Sequence, residues 1–259
     1  MAVARARGVP VHIPERVSVP EVEAALAELR LDFALVVAFG QLLKPSFFQV
    51  PRLGTYNLHF SLLPRWRGAS PVPSAILSGD AQSGVTLQKI NEGLDTGEVA
   101  AQVPFHIAGL SAPQVFAESL RHALPLLEAF FADPDGHAAR LVPQDAAGAT
   151  VCRKIHKDSG RILPTTTLQE TERKLRAFDP WPGIFLQAGG SRLRIAGLEH
   201  PVSEPADAPV LERAGKKELR LRLVDGHARV TSLQREGKRE MSTQEFLNAC
   251  PAAFAWPIE

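Results

Sequence analysis

Apolar residues follow two different rhythms along this chain. In the first half, near-continuous apolar runs alternate with stretches of helical period; from Ile184 onward, short runs keep a period of two. Residues 32–40 are almost wholly apolar, which predicts a parallel strand buried on both faces, with Gly40 making the tight turn at the strand end where open α/β sheets hold ligands. Ahead of it, residues 9–13 predict a short edge strand, because Pro10 cannot donate to a central ladder. Ser18-Val19-Pro20-Glu21 has capping-box spacing with proline inside the first turn, and opens a helix that continues to Arg30. Residues 45–49 predict a short helix, 55–59 a strand, 71–77 a helix, 84–90 and 98–105 strands, and 111–131 a long amphipathic helix. Strands alternating with helices predict a doubly wound α/β domain over residues 1–135.

Residues 136–160 carry Ala, Gly and polar residues without a sustained period and read as an extended linker. Thr167-Leu168-Gln169-Glu170 then has capping-box spacing, and the helix it opens must stop before Asp179-Pro180-Trp181-Pro182-Gly183. Arg192-Leu193-Arg194-Ile195, residues 219–224 and Ala228-Arg229-Val230 each present one apolar and one polar face, as in a small β-barrel. A closing helix starts at Ser242-Thr243-Gln244-Glu245, so residues 161–259 form a second domain.

Composition narrows the class. With 45% apolar and 22% charged residues among 259, the chain is that of a soluble globular protein of one large or two ordinary domains. Cys152 and Cys250 make neither a disulfide framework nor a metal cluster, and no metal is expected. No apolar run approaches the roughly twenty residues that cross a bilayer, and the N-terminus lacks a signal-peptide core; a cytoplasmic monomer without membrane contact is expected. The net charge of +1 is uneven: residues 1–135 carry −3, residues 136–160 carry +2 and residues 161–259 carry +2. That is a mild bias toward a polyanionic partner at the C-terminal end.

The most unusual stretch is Asn57-Leu58-His59-Phe60-Ser61-Leu62-Leu63-Pro64-Arg65-Trp66-Arg67-Gly68. On a strand Asn57 and His59 share a face while Leu58 points to the opposite layer, so an amide and an imidazole stand side by side. A lone Asn-x-His on a strand is ordinarily a structural polar pair. The alternative is a site where a carbonyl oxygen becomes an oxyanion while a nearby nitrogen exchanges a proton.

The full string resembles the signature of the folate-dependent formyltransferases. Gly93-Leu94-Asp95-Thr96-Gly97 is similar to the family's aspartate loop, and Gln144-Asp145, residues 154–162 and Asp179-Pro180-Trp181-Pro182-Gly183 extend the likeness over most of the chain. The resemblance implies a Rossmann-like formyltransferase domain, truncated at its N-terminus, followed by an OB-like barrel. It implies 10-formyltetrahydrofolate as formyl donor and methionyl-initiator tRNA as acceptor. It implies Asn57, His59 and Asp95 as the catalytic group and Ser61, Leu62, Leu63 and Pro64, with Phe39, Gly40 and Leu94, around the folate. The substrate amine is itself the nucleophile, so the protein must hold the reactants together, stabilise the oxyanion and manage a proton. Arg192 with Arg194, and Arg220 with Arg222, lie on outer strand faces; at least one pair is expected to touch tRNA phosphate.

The family opens with a strand, a glycine-containing turn and a helix, then a further strand and a basic loop. This chain starts at what reads as the helix after them, roughly one and a half βαβ units late. Weak folate binding by a truncated chain is therefore the expectation. Other readings are a non-catalytic tRNA-binding remnant, a sugar-nucleotide formyltransferase, and a hydrolase releasing formate from formyltetrahydrofolate.

Overall fold

The computed structural model describes residues 2–204 and 208–259. In chain order the elements are α1 (Ala2–Ala6), α2 (Pro20–Glu28), β1 (Ala34–Val37), α3 (Pro45–Phe48), β2 (Thr55–His59), β3 (Arg67–Gly68), α4 (Pro71–Ser78), β4 (Gln82–Lys89), β5 (Val99–His106), α5 (Ala112–Ala132), α6 (Pro134–Ala139) and β6 (Val151–Cys152). They continue with α7 (Leu168–Ala177), β7 (Ile184–Ala188), β8 (Ser191–Val202), β9 (Val210–Arg213), β10 (Leu219–Leu223), β11 (Gly226–Arg235), β12 (Glu240–Ser242), α8 (Thr243–Asn248) and β13 (Ala255–Pro257). The chain divides into two compact units, one of residues 1–67, 84–104 and 121–151, the other of residues 68–83, 105–120 and 152–259.

The first unit is built on a sheet of order β1-β2-β4-β5. β1 runs parallel to β2, but β4 runs antiparallel to it, so the sheet is mixed rather than all parallel. The segment between β2 and β4 returns to the end at which β2 stopped, and a strand entering there must run back. One face packs Tyr56, Leu58, Val85 and Leu87 against Ala123, Leu126 and Phe130 of α5. Phe130 meets Tyr56 at 4.7 Å and Phe33 edge-on at 5.0 Å between ring centroids, the tilted geometries that aromatic quadrupoles favour.

Four local expectations are corrected. Residues 9–13 are not a strand; they pair with no strand among the described residues. Ser18 does not cap the first long helix: Pro20 takes the first helical position, which makes Val19 the cap, and the Ser18 hydroxyl instead accepts from the Lys44 N–H at 3.2 Å. β1 is an edge strand, only partly buried, with Val37 44% exposed, because it has a single strand neighbour. The left-handed residue after it is Ala38, at φ 48°, while Gly40 has open space around it and no need of glycine's freedom.

The second unit contains α4, α7 and the β-barrel strands. The Thr167 capping box forms as expected: its hydroxyl accepts from the Glu170 N–H at 3.1 Å and Glu170 accepts from the Thr167 N–H at 2.9 Å. The strands follow the order β13-β9-β10-β11-β8-β7, with β12 on β11. A bridge between Ala188 and Ile258, with the Glu259 N–H donating to the Gln187 carbonyl at 3.0 Å, brings the two edges of this sheet together. Leu193, Ile195, Leu219, Leu221, Leu223 and Val230 point inside, and the arginines between them point out. Gly189 and Gly190, at φ 58° and 69°, form the two-residue turn between β7 and β8, where both central residues must be left-handed.

α8 opens on a second capping box, in which Glu245 accepts from the Ser242 backbone N–H at 2.9 Å and from Arg239 at 2.6 Å. These contacts, the backbone one first, pull its carboxyl from an ordinary 4.5 to about 2. A depressed carboxylate contributes stability that is complete above pH 4.5 and fades as pH falls toward 2. The melting temperature of the Glu245→Gln chain should therefore lie below that of the parent at pH 6, with the gap closing as pH is lowered through this window. A gap that persists unchanged at pH 2 would assign the loss to something other than the carboxylate.

Candidate active site

Side chains of β2 alternate between the two sheet faces, and residues directly opposite on an antiparallel partner share a face. Tyr56 and Leu58 go to the core. Asn57 stands opposite Gln88 and His59 opposite Thr86, so four polar side chains occupy the other face. The His59 side chain is 6% exposed. Its Nε2 lies 2.8 Å from the Trp66 carbonyl oxygen, which can only accept, so Nε2 carries the hydrogen. Trp66 is itself left-handed, at φ 61°, as the chain turns back toward the strand. The other ring nitrogen, Nδ1, faces the Asp95 carboxylate at 3.7 Å. That separation is too long for a hydrogen bond and short enough for charge to be felt.

Asp95 sits in the loop between β4 and β5 at φ 50°, a left-handed conformation that costs a non-glycine residue about 1–2 kcal/mol. The surroundings fix it there. Its Oδ1 accepts from Gln88 Nε2 at 2.7 Å, and the Asn91 carboxamide oxygen accepts from the Gly93 N–H at 3.0 Å and the Thr96 hydroxyl at 2.8 Å, tying the loop to itself. At Gly97 a Cβ would run into the Lys89 carbonyl, so the loop can close only with glycine there. Gln144, from the segment after α6, donates to the main-chain carbonyls of Asp95 at 2.9 Å and Gly97 at 2.7 Å.

Past His59 the chain is pinned to the same sheet face. The Thr86 hydroxyl donates to the Ser61 carbonyl at 2.6 Å and accepts from the Leu63 N–H at 3.2 Å and from Gln102 at 2.8 Å. Ser61 and Leu63 are thereby buried, with the Ser61 hydroxyl donating to the Arg65 carbonyl at 2.6 Å; Leu62 and Pro64 keep partial exposure. Phe39 and Gly40 lie beyond the C-terminal end of β1, at the same edge of the sheet as the residues following parallel β2, and both are exposed. Leu94 directly precedes Asp95 and is 63% exposed.

The barrel arginines divide. Arg220 and Arg222 are committed to carboxylates: Arg222 to Glu212 at 2.7 Å, and Arg220 to Glu218 at 3.0 Å and Glu212 at 3.9 Å. Arg192 lies over the Phe185 ring at 3.6 Å, and Arg194 donates to the Gln234 side chain at 3.3 Å and the Pro180 carbonyl at 3.4 Å. Together with Arg235 they line a concavity of about 220 Å³.

Several residues of this arrangement were not expected. Thr86 and Gln88 had a signal, since they alternate with Val85 and Leu87 and so share a face. Gln144 was marked only as part of the resemblance, with no role attached, because its contacts are made across the fold. Trp66 contributes a main-chain carbonyl, which residue type does not mark.

Among known proteins, residues 6–123 match the formyl transferase family and residues 154–251 its C-terminal domain. The chain is similar to a methionyl-tRNA formyltransferase of Rhizorhabdus wittichii, 38% identical over 249 residues that cover 95% of this chain and 79% of that protein. In fold it is similar to a methionyl-tRNA formyltransferase from Clostridium thermocellum, with TM-score 0.60 and 17% identity over 77% of this chain and 86% of that one. It is likewise similar to HypX from Aquifex aeolicus, solved in complex with tetrahydrofolic acid, with TM-score 0.64 and 17% identity over 88% of this chain and 41% of that one.

Replacing Thr86 by the isosteric valine would leave the Leu63 N–H, the Ser61 carbonyl and one Gln102 N–H without this partner. Buried polar groups stripped in that way cost about 1–3 kcal/mol. Denaturant unfolding of the Thr86→Val chain should show that loss; an unchanged midpoint would mean that water or a rearranged Gln102 replaces the hydroxyl.

Proposed function

This chain belongs to the formyl transferase family, and from that premise we propose that it moves the formyl group of 10-formyltetrahydrofolate to the free amine of methionyl-initiator tRNA, the step that prepares the tRNA for translation initiation. The acceptor is supported by the name of the relative that is 38% identical over 95% of this chain, and by the match to both family domains. Catalysis is assigned to residues 1–135, joined by the linker 136–160 to an RNA-binding domain over residues 161–259. The reading places the protein in the cytoplasm; no helix among the described residues is long and apolar enough to cross a membrane.

The observation that carries the reading is the His59–Asp95 pair, 3.7 Å apart, on the sheet face that also bears Asn57. The amine nitrogen attacks the formyl carbon, forming the new C–N bond and pushing the carbonyl pair onto oxygen. Asn57 donates an amide N–H to that oxyanion. Because Nε2 of His59 holds its hydrogen against the Trp66 carbonyl, Nδ1 is the nitrogen with a free lone pair, and it takes the proton released by the amine. Asp95 then faces the imidazolium. As the oxyanion collapses, the bond from the formyl carbon to folate N10 breaks, and N10 receives the proton His59 has carried. The folate is held by Phe39, Gly40, Ser61, Leu62, Leu63, Pro64 and Leu94, the buried Ser61 and Leu63 acting through the shape they give the loop.

For the tRNA, Arg192 and Arg194 are better placed than Arg220 and Arg222, whose charge is already balanced by Glu212 and Glu218. Two measurements test the proposal. In single-turnover transfer to methionyl-tRNA, Asp95→Asn and His59→Ala should each slow the reaction by about 10²–10³-fold or more while leaving the circular dichroism unchanged. Near-normal rates in either variant would remove that residue from the mechanism. In tRNA binding, the double change Arg192→Ala with Arg194→Ala should weaken affinity and flatten the salt dependence by about one unit for each phosphate no longer neutralised. An unchanged slope would leave that pair as ordinary surface.

A further inference from the structure

The chemistry proposed above needs the Asp95 carboxylate to be held against His59, and the contacts that hold it lead to a residue outside the catalytic group. We propose that Gln144 is a positioning residue for the transfer reaction, setting Asp95 through the main chain of its loop. The inference rests on the reading of Asp95 as part of the catalytic group.

Asp95 is held both by its carboxylate and by its main chain. Its carboxylate accepts from Gln88 Nε2 at 2.7 Å, and its main-chain carbonyl accepts from Gln144 Nε2 at 2.9 Å. The same Gln144 nitrogen donates to the Gly97 carbonyl at 2.7 Å and lies 3.3 Å from Gln88 Oε1. An amide NH2 has two hydrogens, so the two carbonyls at the shorter distances take them and the Gln88 contact is the weaker third. These contacts close a ring: Gln144 to the Asp95 main chain, the Asp95 carboxylate to Gln88, and Gln88 back to Gln144. The two carbonyls belong to the left-handed Asp95 and to Gly97, on either side of Thr96, so Gln144 grips the turn that aims the carboxylate.

Gln144 is itself oriented. Its Oε1 accepts from Arg67 Nε at 3.0 Å and Nη2 at 2.8 Å, and the Arg67 main-chain N–H is anchored on the Thr150 carbonyl at 2.9 Å. A guanidinium bound at the amide oxygen draws electron density from the nitrogen and strengthens its N–H groups as donors. Only an amide fits both ends. Glutamate would keep the length and the Arg67 contact but lose both donors, and methionine would keep the bulk and lose everything polar.

These two variants supply the test, made in the full chain. Gln144→Glu and Gln144→Met should each lower kcat by about 10–100-fold, the scale of a displaced catalytic group, with KM for formyl folate and for methionyl-tRNA within about threefold of the parent. In an Asp95→Asn background the same substitutions should cost less than about twofold, because the group they position is already gone. Full additivity with Asp95→Asn, or an unchanged kcat, would overturn the proposal. A readout independent of turnover is the ring-nitrogen NMR resonances of His59 in the substrate-free chain, which should move in both Gln144 variants as the carboxylate beside Nδ1 is displaced; unmoved resonances in a folded variant would also overturn it. If the parent transfers no formyl group, the functional reading fails, and the His59 resonances still decide whether Gln144 positions Asp95.

Discussion

The antiparallel register of β2 against β4 is the constraint on which the rest of the first unit depends. With Asn57 opposite Gln88 and His59 opposite Thr86, the polar residues of both strands fall on one face and Tyr56, Leu58, Val85 and Leu87 on the other. A slip of β2 by one residue would turn the His59 imidazole and the Asn57 amide into the layer filled by Phe130 and Leu126, and bring Tyr56 and Leu58 out. Core packing and site geometry are thus two consequences of the same pairing. The hydrophobic energy that seats α5 on the sheet also fixes where Asn57 and His59 can stand.

From that register, each further feature follows by the satisfaction of polar atoms. A face carrying four polar side chains, with His59, Thr86 and Gln88 buried, requires partners for all of them. Thr86 finds its own in the loop after β2, which it holds down. Gln88 finds Asp95, and Gln144 completes the bracket from a part of the chain far along in sequence. His59 uses one nitrogen on a main-chain carbonyl, which leaves the other free for chemistry. A network satisfied in this way makes a left-handed aspartate tolerable and keeps it in one place beside His59.

The barrel unit makes the parallel point about charge. Arg192, Arg194, Arg220 and Arg222 look equivalent as a pattern, since each lies beside buried aliphatic residues on its strand. Their neighbours separate them. Across β9 and β10 the register sets Glu212 opposite Arg220, and Glu212 reaches the neighbouring Arg222, so that pair is balanced. On β8 the flanking strands offer Phe185 and Gln234 instead, and the concavity there is lined by Arg192, Arg194 and Arg235 against the carboxylate of Glu236.

Elements whose cause is local were legible in the chain alone. The alternation at residues 219–223, the capping boxes at Thr167 and Ser242, and the placement of Asn57 and His59 on one strand face all arise within a few residues of backbone geometry, and the structure has them so. The motif around Asp95 was legible as a string, but its left-handed turn was not. Local signals misled where a second cause intervened: Pro20 displaced the cap from Ser18, and the apolar run of β1 became a half-exposed edge strand because burial depends on neighbours. Only the tertiary structure decided that β4 runs against β2, that the Trp66 carbonyl accepts a hydrogen bond from His59, and that Gln144 closes on Asp95 across 49 positions. Those contacts join segments remote in sequence, and their partners are chosen by which unsatisfied donors and acceptors the packed fold leaves within reach.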